Sequence, residues 1–116
     1  MRHLRKGRKF SSIRKTRKAF IKSVLRSLVT YGRIETTLPR AKEVRMLAER
    51  LVTKAKKGGL SREREIRTWL LPSQTSRVFQ IASDLKERRG GYTIITRTRY
   101  RSHDGAPMAI LEFIKQ

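Results

Sequence analysis

Not one Asp or Glu occurs in the first 34 residues, although twelve Lys or Arg do. Within that stretch, nine of the seventeen positions from Arg2 to Lys18 are basic, and the large apolar residues are Leu4, Phe10 and Ile13. So few apolar side chains cannot form a packed layer against that much like charge. Residues 1–11 are therefore expected to be an extended basic arm and residues 12–116 the globular part of one domain, the number that 116 residues suit. Eighteen basic and nine acidic residues follow position 34, and the whole chain carries +21. Such an excess repels itself in a compact state and calls for a polyanionic partner. At 37% hydrophobic the chain still holds enough apolar residues for a small core.

The hydrophobic pattern predicts an α+β, two-layer fold in the order α-β-α-α-α-β-β. A first helix runs from about Ser12, with Phe20, Val24, Leu28 and Tyr31 on one face, Ile21 and Leu25 widening it, and Gly32 as its stop. Residues 33–37 alternate as a short strand, and Pro39 suits the first turn of a second helix reaching about Lys57. That helix keeps Ala41, Val44, Leu47, Ala48, Leu51, Val52 and Ala55 on one arc before Gly58-Gly59. Ser61 is expected to cap a third helix that turns Ile66, Trp69 and Leu70 inward, and a fourth is expected over 73–89. Residues 92–101 and 108–115 are β-branched and aromatic, as in a hairpin with a long loop.

Two cationic patterns stand out in these elements. Lys15, Lys18, Lys22 and Arg26 follow helical steps opposite the apolar face, flanked by Arg14 and Arg17, with no acid interleaved. Such a stripe delivers several positive charges to one rail of phosphates; an ordinary solvated helix back is the alternative. Arg97, Arg99 and Arg101 recur at period two and are expected to project from one strand face, as a second phosphate surface or as plain solvent-facing positions.

Catalytic and cofactor chemistry finds little support. The chain has no cysteine and two histidines, which excludes disulfides, thiolate metal sites and cysteine nucleophiles, and no glycine pattern matches a P-loop or dinucleotide fingerprint. No enzyme activity, cofactor, metal or small-molecule substrate is expected. His103-Asp104-Gly105 reads as turn chemistry rather than acid–base chemistry. His3, inside the basic arm, is better placed to meet a nucleotide than a metal. No run of 18 uncharged apolar residues spans a membrane, and no apolar secretion segment opens the chain. The basic, acid-free first 34 residues do match an organellar transit peptide in composition.

Several blocks resemble a known family: Met1-Arg2-His3 with Gly7-Arg8-Lys9, then Ile34-Glu35-Thr36-Thr37-Leu38-Pro39-Arg40-Ala41-Lys42-Glu43, then Gly90-Gly91-Tyr92-Thr93, and Asp104-Gly105-Ala106-Pro107-Met108. Together they resemble the bacterial large-subunit ribosomal protein seventeen family, in order and over almost the whole chain. The resemblance implies a three-stranded mixed sheet covered by helices. It also implies a structural role in the large ribosomal subunit, bound to its RNA near the nascent-chain exit, with neighbouring ribosomal proteins as further partners. It places Arg2, His3, Gly7, Arg8 and Lys9, with Arg5 and Lys6 among them, in an arm threading between RNA segments. Arg40 and Lys42 bring charge to the start of the second helix, and Thr36 and Thr37 offer hydroxyls to phosphate or serve as strand end and helix cap. Departures from the family pattern fall at Ser12, at Arg14-Lys15-Thr16-Arg17, at Ile94 and at His103, where the family commonly has Arg, Ser-Ser-His-Arg, Arg and Gly. Because the family's opening coincides with Met1, a bacterial cytoplasm is expected over an organelle. Two other classes compete: a DNA-binding or nucleoid-associated protein, and a cationic amphipathic membrane binder resting on residues 12–31.

Overall fold

Glycines punctuate the first half of the chain where helices must end. In the computed structural model, which describes residues 13–115, Gly32 takes φ 80° and donates its N–H to Leu28 O at 2.8 Å, closing helix α1 (Arg14–Tyr31). A side chain in that left-handed conformation is strained, so glycine is the residue that lets strand β1 (Arg33–Thr37) turn off the helix end. Helix α2 (Leu38–Lys57) follows directly, with Pro39 in its first turn and Gly58 past its end. Then come α3 (Leu60–Arg67), α4 (Pro72–Asp84), β2 (Thr93–Tyr100) and β3 (Pro107–Phe113).

Helix α2 is central. Its buried residues Ala41, Val44, Ala48, Leu51, Val52 and Ala55 form the predicted arc, with Leu47 half-buried at its margin. Against it pack Ile21, Leu25, Leu28 and Val29 of α1, Ile66, Val78 and Ala82 of α3 and α4, and Ala109, Leu111 and Phe113 of β3. The small residues Ala41, Ala48 and Ala55 let neighbouring elements approach α2 closely, which is how a chain this short encloses a core.

Both ladders of the sheet are antiparallel, in the order β1-β3-β2, so the mixed sheet implied by the family resemblance is not what forms. β1 and β2 do run in the same direction, but β3 lies between them and pairs antiparallel with each. Helices cover only one face: Ile34, Thr93, Ile95, Ala109, Leu111 and Phe113 turn toward the core, while Arg33, Glu35, Ile94, Thr96, Ile110 and Glu112 share the other face.

Other expectations shift by part of a turn. Tyr31 is 74% exposed, because the buried stripe of α1 is Ile21, Leu25, Leu28 and Val29, and Phe20 and Val24 lie at its edge. Ser61 lies inside α3, whose N-cap is Gly59 with no side-chain cap. Trp69 is half-buried beside the core, not within it. α4 stops at Asp84, where the Leu85 N–H bonds to Ile81 O and the Lys86 N–H to Ser83 O, short of the predicted residue 89. The predicted arm, 1–11, and residue 12 lie outside the described residues.

Candidate nucleic-acid interface

The cationic row of α1 is organised by one aromatic residue. Lys18 and Lys22 hold their Nζ atoms 5.6 and 5.7 Å from the centre of the Trp69 ring. Arg26 donates from Nε to the Trp69 carbonyl at 3.0 Å. Trp69 stands between α3 and α4, so three successive positions of the row are tied to the neighbouring helices, and a positive charge over an indole face is attracted by its quadrupole. Lys15 continues the row in solvent, with Arg14 exposed and Arg17 half-buried beside it. No carboxylate pairs with a cation of α1 among the described residues. Trp69 was read from the sequence as a core residue; its actual part in ordering the row had no signal in spacing alone.

Beyond the row, Ser23, Ser27, Thr30, Tyr31 and Gln74 line a shallow polar groove with Lys22 and Arg26. At the start of α2, the Arg40 guanidinium lies 4.7 Å from the centre of the Phe20 ring and links α2 to α1. Lys42 is exposed one residue past the buried Ala41. Thr36 and Thr37 are half-buried in β1, where Thr36 faces the core beside Ala109 and Thr37 lies across from Met108. Thr37 occupies the N-cap position of α2 without its side chain capping the helix.

The three strand arginines do not form one rail. The β2–β3 register shifts between Arg97 and Tyr100, which breaks the period-two alternation, and Arg101 falls after the strand. Glu35 of β1 accepts hydrogen bonds from Thr98 Oγ1 at 3.0 Å and Arg99 Nη2 at 3.3 Å, so residues adjacent in sequence reach one carboxylate. Arg101 is forked onto Asp104, its Nε donating to Oδ1 at 3.0 Å and its Nη2 to Oδ2 at 2.7 Å. Those bonds, with the Ala106 N–H at 3.2 Å, hold the Asp104 carboxyl well below the usual carboxylate range. The His103-Asp104 loop is therefore turn chemistry, as its sequence suggested. Arg97 alone of the three makes no ion pair among the described residues.

Arg97 instead meets residues that the sequence places far away. With Leu38, Lys42, Arg45, Met46 and Ile95 it lines a groove of about 540 Å³ between the first turns of α2 and β2. Arg45 and Met46 were missed by the sequence reading, since on a helical wheel both look like ordinary surface positions.

Carboxylates elsewhere serve the fold. Glu65 accepts from Lys54 at 2.7 Å, which lowers its pKa, and Glu63 pairs with Arg67 at 2.7 Å. Among the described residues no three His, Cys, Asp or Glu cluster as a metal site. No described helix is long and apolar enough to cross a membrane.

Comparison with known proteins identifies the family. The family model described as ribosomal protein L17 matches residues 20–114. A large ribosomal subunit protein bL17 of Magnetococcus marinus is 42% identical, over 100% of this chain and 94% of its own. The bL17 proteins of Thermodesulfovibrio yellowstonii and Campylobacter jejuni are 44% and 41% identical, each over 98% of this chain and over 87% and 99% of their own. The chain thus belongs to the ribosomal protein L17 family, whose members are structural proteins of the ribosome and not enzymes.

Proposed function

We propose that the protein is a structural constituent of the bacterial large ribosomal subunit, binding and stabilising large-subunit RNA through its phosphate backbone. Its place is then the cytoplasmic ribosome, beside other large-subunit proteins. The observation that carries this reading is the row Lys15, Lys18, Lys22 and Arg26. No carboxylate among the described residues pairs with it, and its last three members are fixed against Trp69 before any ligand arrives. Cations already held in place lose less side-chain entropy when a phosphate rail binds. Arg40, Lys42 and Arg97 extend the positive surface onto α2 and β2, with Arg14 and Arg17 beside the row. On the same reading the basic residues of the arm, Arg2, Arg5, Lys6, Arg8 and Lys9, with His3 and Gly7, contact RNA as well.

Arg99 and Arg101 contribute less, because each already has a carboxylate. Cations drawn from a helix face, a helix start and a strand suit a wedge surrounded by RNA; a DNA reader concentrates its contacts on one recognition helix. Sucrose-gradient sedimentation of a lysate at low and high salt tests the reading. The expected result is co-sedimentation with the large subunit that survives a high-salt wash. Recovery with DNA, or at the top of the gradient, overturns it.

A further inference from the structure

We propose that the groove between the start of α2 and β2 is a receptor for a single unpaired nucleotide of RNA: its base lies on Leu38, Met46 and Ile95, and its flanking phosphates meet Lys42 and Arg45 on one wall and Arg97 on the other. The proposal rests on the RNA-binding reading above and adds a defined site to it.

Three observations carry it. The groove is lined by three apolar side chains, Leu38, Met46 and Ile95, and by cations from both elements, Lys42 and Arg45 of α2 and Arg97 of β2, and its volume of about 540 Å³ lies in the usual range for small-ligand sites. A nucleotide in a strand has that same distribution, a flat apolar base with one phosphate on either side. Second, Met46 is 49% exposed and shares the groove lining with Leu38 and Ile95, so its side chain is open to contact by a ligand. A thioether is polarisable and packs well against an aromatic ring, which a nucleobase provides. Third, the cations here are left available. Arg99 and Arg101 are each paired with a carboxylate, whereas Arg97 and Lys42 have no ion pair among the described residues. Arg45 has only a long contact of 3.8 Å to Glu49, whose Oε1 is already taken by Thr93.

A polypeptide strand added to the free edge of β2 is the other occupant of comparable shape. It fits less well: the edge carries Arg97 and Arg99 and a register break between Arg97 and Tyr100, devices that discourage strand pairing. A peptide also needs acidic groups toward both walls at once.

The test uses the full chain reconstituted into particles with large-subunit RNA. All four bases are probed with dimethyl sulfate, a carbodiimide and a glyoxal reagent. The wild-type protein is expected to protect one unpaired base that Met46→Glu returns to its protein-free reactivity, with the rest of the footprint intact. Affinity for the RNA should fall about tenfold, as for loss of one stacked base. Lys42→Ala with Arg97→Ala, both at exposed positions, should reduce the slope of log affinity against log salt by about 1.4, the value for two single-strand phosphates. Leu60→Glu, at an exposed position of α3, should change neither. Identical base reactivities in wild-type and Met46→Glu particles overturn the nucleotide site. So does a Met46→Glu effect confined to cross-links with a neighbouring protein, which assigns the groove to a polypeptide. A wild-type protein that binds the RNA with a steep salt dependence but protects no base overturns the nucleotide site alone, whereas a protein that does not bind the RNA at all overturns the RNA-binding reading and the nucleotide site with it.

Discussion

Glu49 is a carboxylate that holds the fold together in a chain otherwise dominated by cations. From α2 its Oε1 accepts the Thr93 N–H at 3.2 Å and the Thr93 hydroxyl at 2.8 Å, at the first residue of β2. Thr93 is 3% exposed, so without Glu49 two buried donors lose their acceptor. Glu49→Ala is expected to lower stability by about 1–3 kcal/mol, read from the urea midpoint, with Glu49→Gln recovering part because it keeps an acceptor. Asp104 yields a pH prediction. A carboxyl whose pKa is depressed in the folded state stabilises the fold above its unfolded value, about 4, and that contribution is lost as the pH falls through the lower folded value. The forked Arg101 contact, and then the Ala106 N–H, depress Asp104 in this way. Carbon NMR should therefore show its carboxyl unchanged between about pH 5 and about pH 3, with Arg101→Ala raising its midpoint toward the ordinary value of about 4 and the Ala106 N–H holding it somewhat below. A wild-type midpoint near 4 would mean that the fork does not persist in solution.

At the scale of elements, how much can be read in advance depends on how many faces an element buries. α2 was legible almost completely, because a twenty-residue helix at the centre of the fold must keep one apolar arc throughout, and Pro39 and Gly58 mark its ends. The face of α1 was misread by part of a turn. Phe20, Val24, Leu28 and Tyr31 are as well spaced as Ile21, Leu25, Leu28 and Val29, and only the angle at which α1 meets α2 and α4 chooses between them. The prediction at this scale contrasts the two sets. Leu25 is fully buried, so Leu25→Ala should cost about 2–5 kcal/mol. Tyr31→Ala, at a 74% exposed position, should change stability by less than about 0.5 kcal/mol in the same urea titration. Comparable losses would mean that α1 is rotated toward the face first read from the sequence. The sheet order was not legible at all, because period-two alternation fixes which face a residue takes but not which strand lies beside it. The groove on α2 and β2 was hidden for the same reason: Lys42 and Arg97 are brought together by the docking of the strand, which neither segment encodes alone.

For the whole molecule, the charge of +21 sets two effects of salt against each other. In the free protein the excess of like charge repels itself, and that repulsion acts against the compact state. The ion pairs Arg67–Glu63 and Lys54–Glu65 lie near α3 and leave the α1 row unneutralised. Added salt screens that repulsion over a Debye length that shrinks from about 14 Å at 0.05 M to about 7 Å at 0.2 M, so the thermal midpoint of the free protein should rise across that range. The same salt competes with the protein for phosphate. Engagement of about ten phosphates gives a slope of −7 to −9 in log affinity against log salt, so RNA binding should weaken steeply over the same interval. Stability and affinity are therefore expected to move in opposite directions, measured by circular dichroism melts and by filter binding in one buffer series. If the free protein's midpoint falls with salt as well, its internal ion pairs outweigh its self-repulsion. The row on α1 is then not the uncompensated surface on which the RNA-binding reading depends.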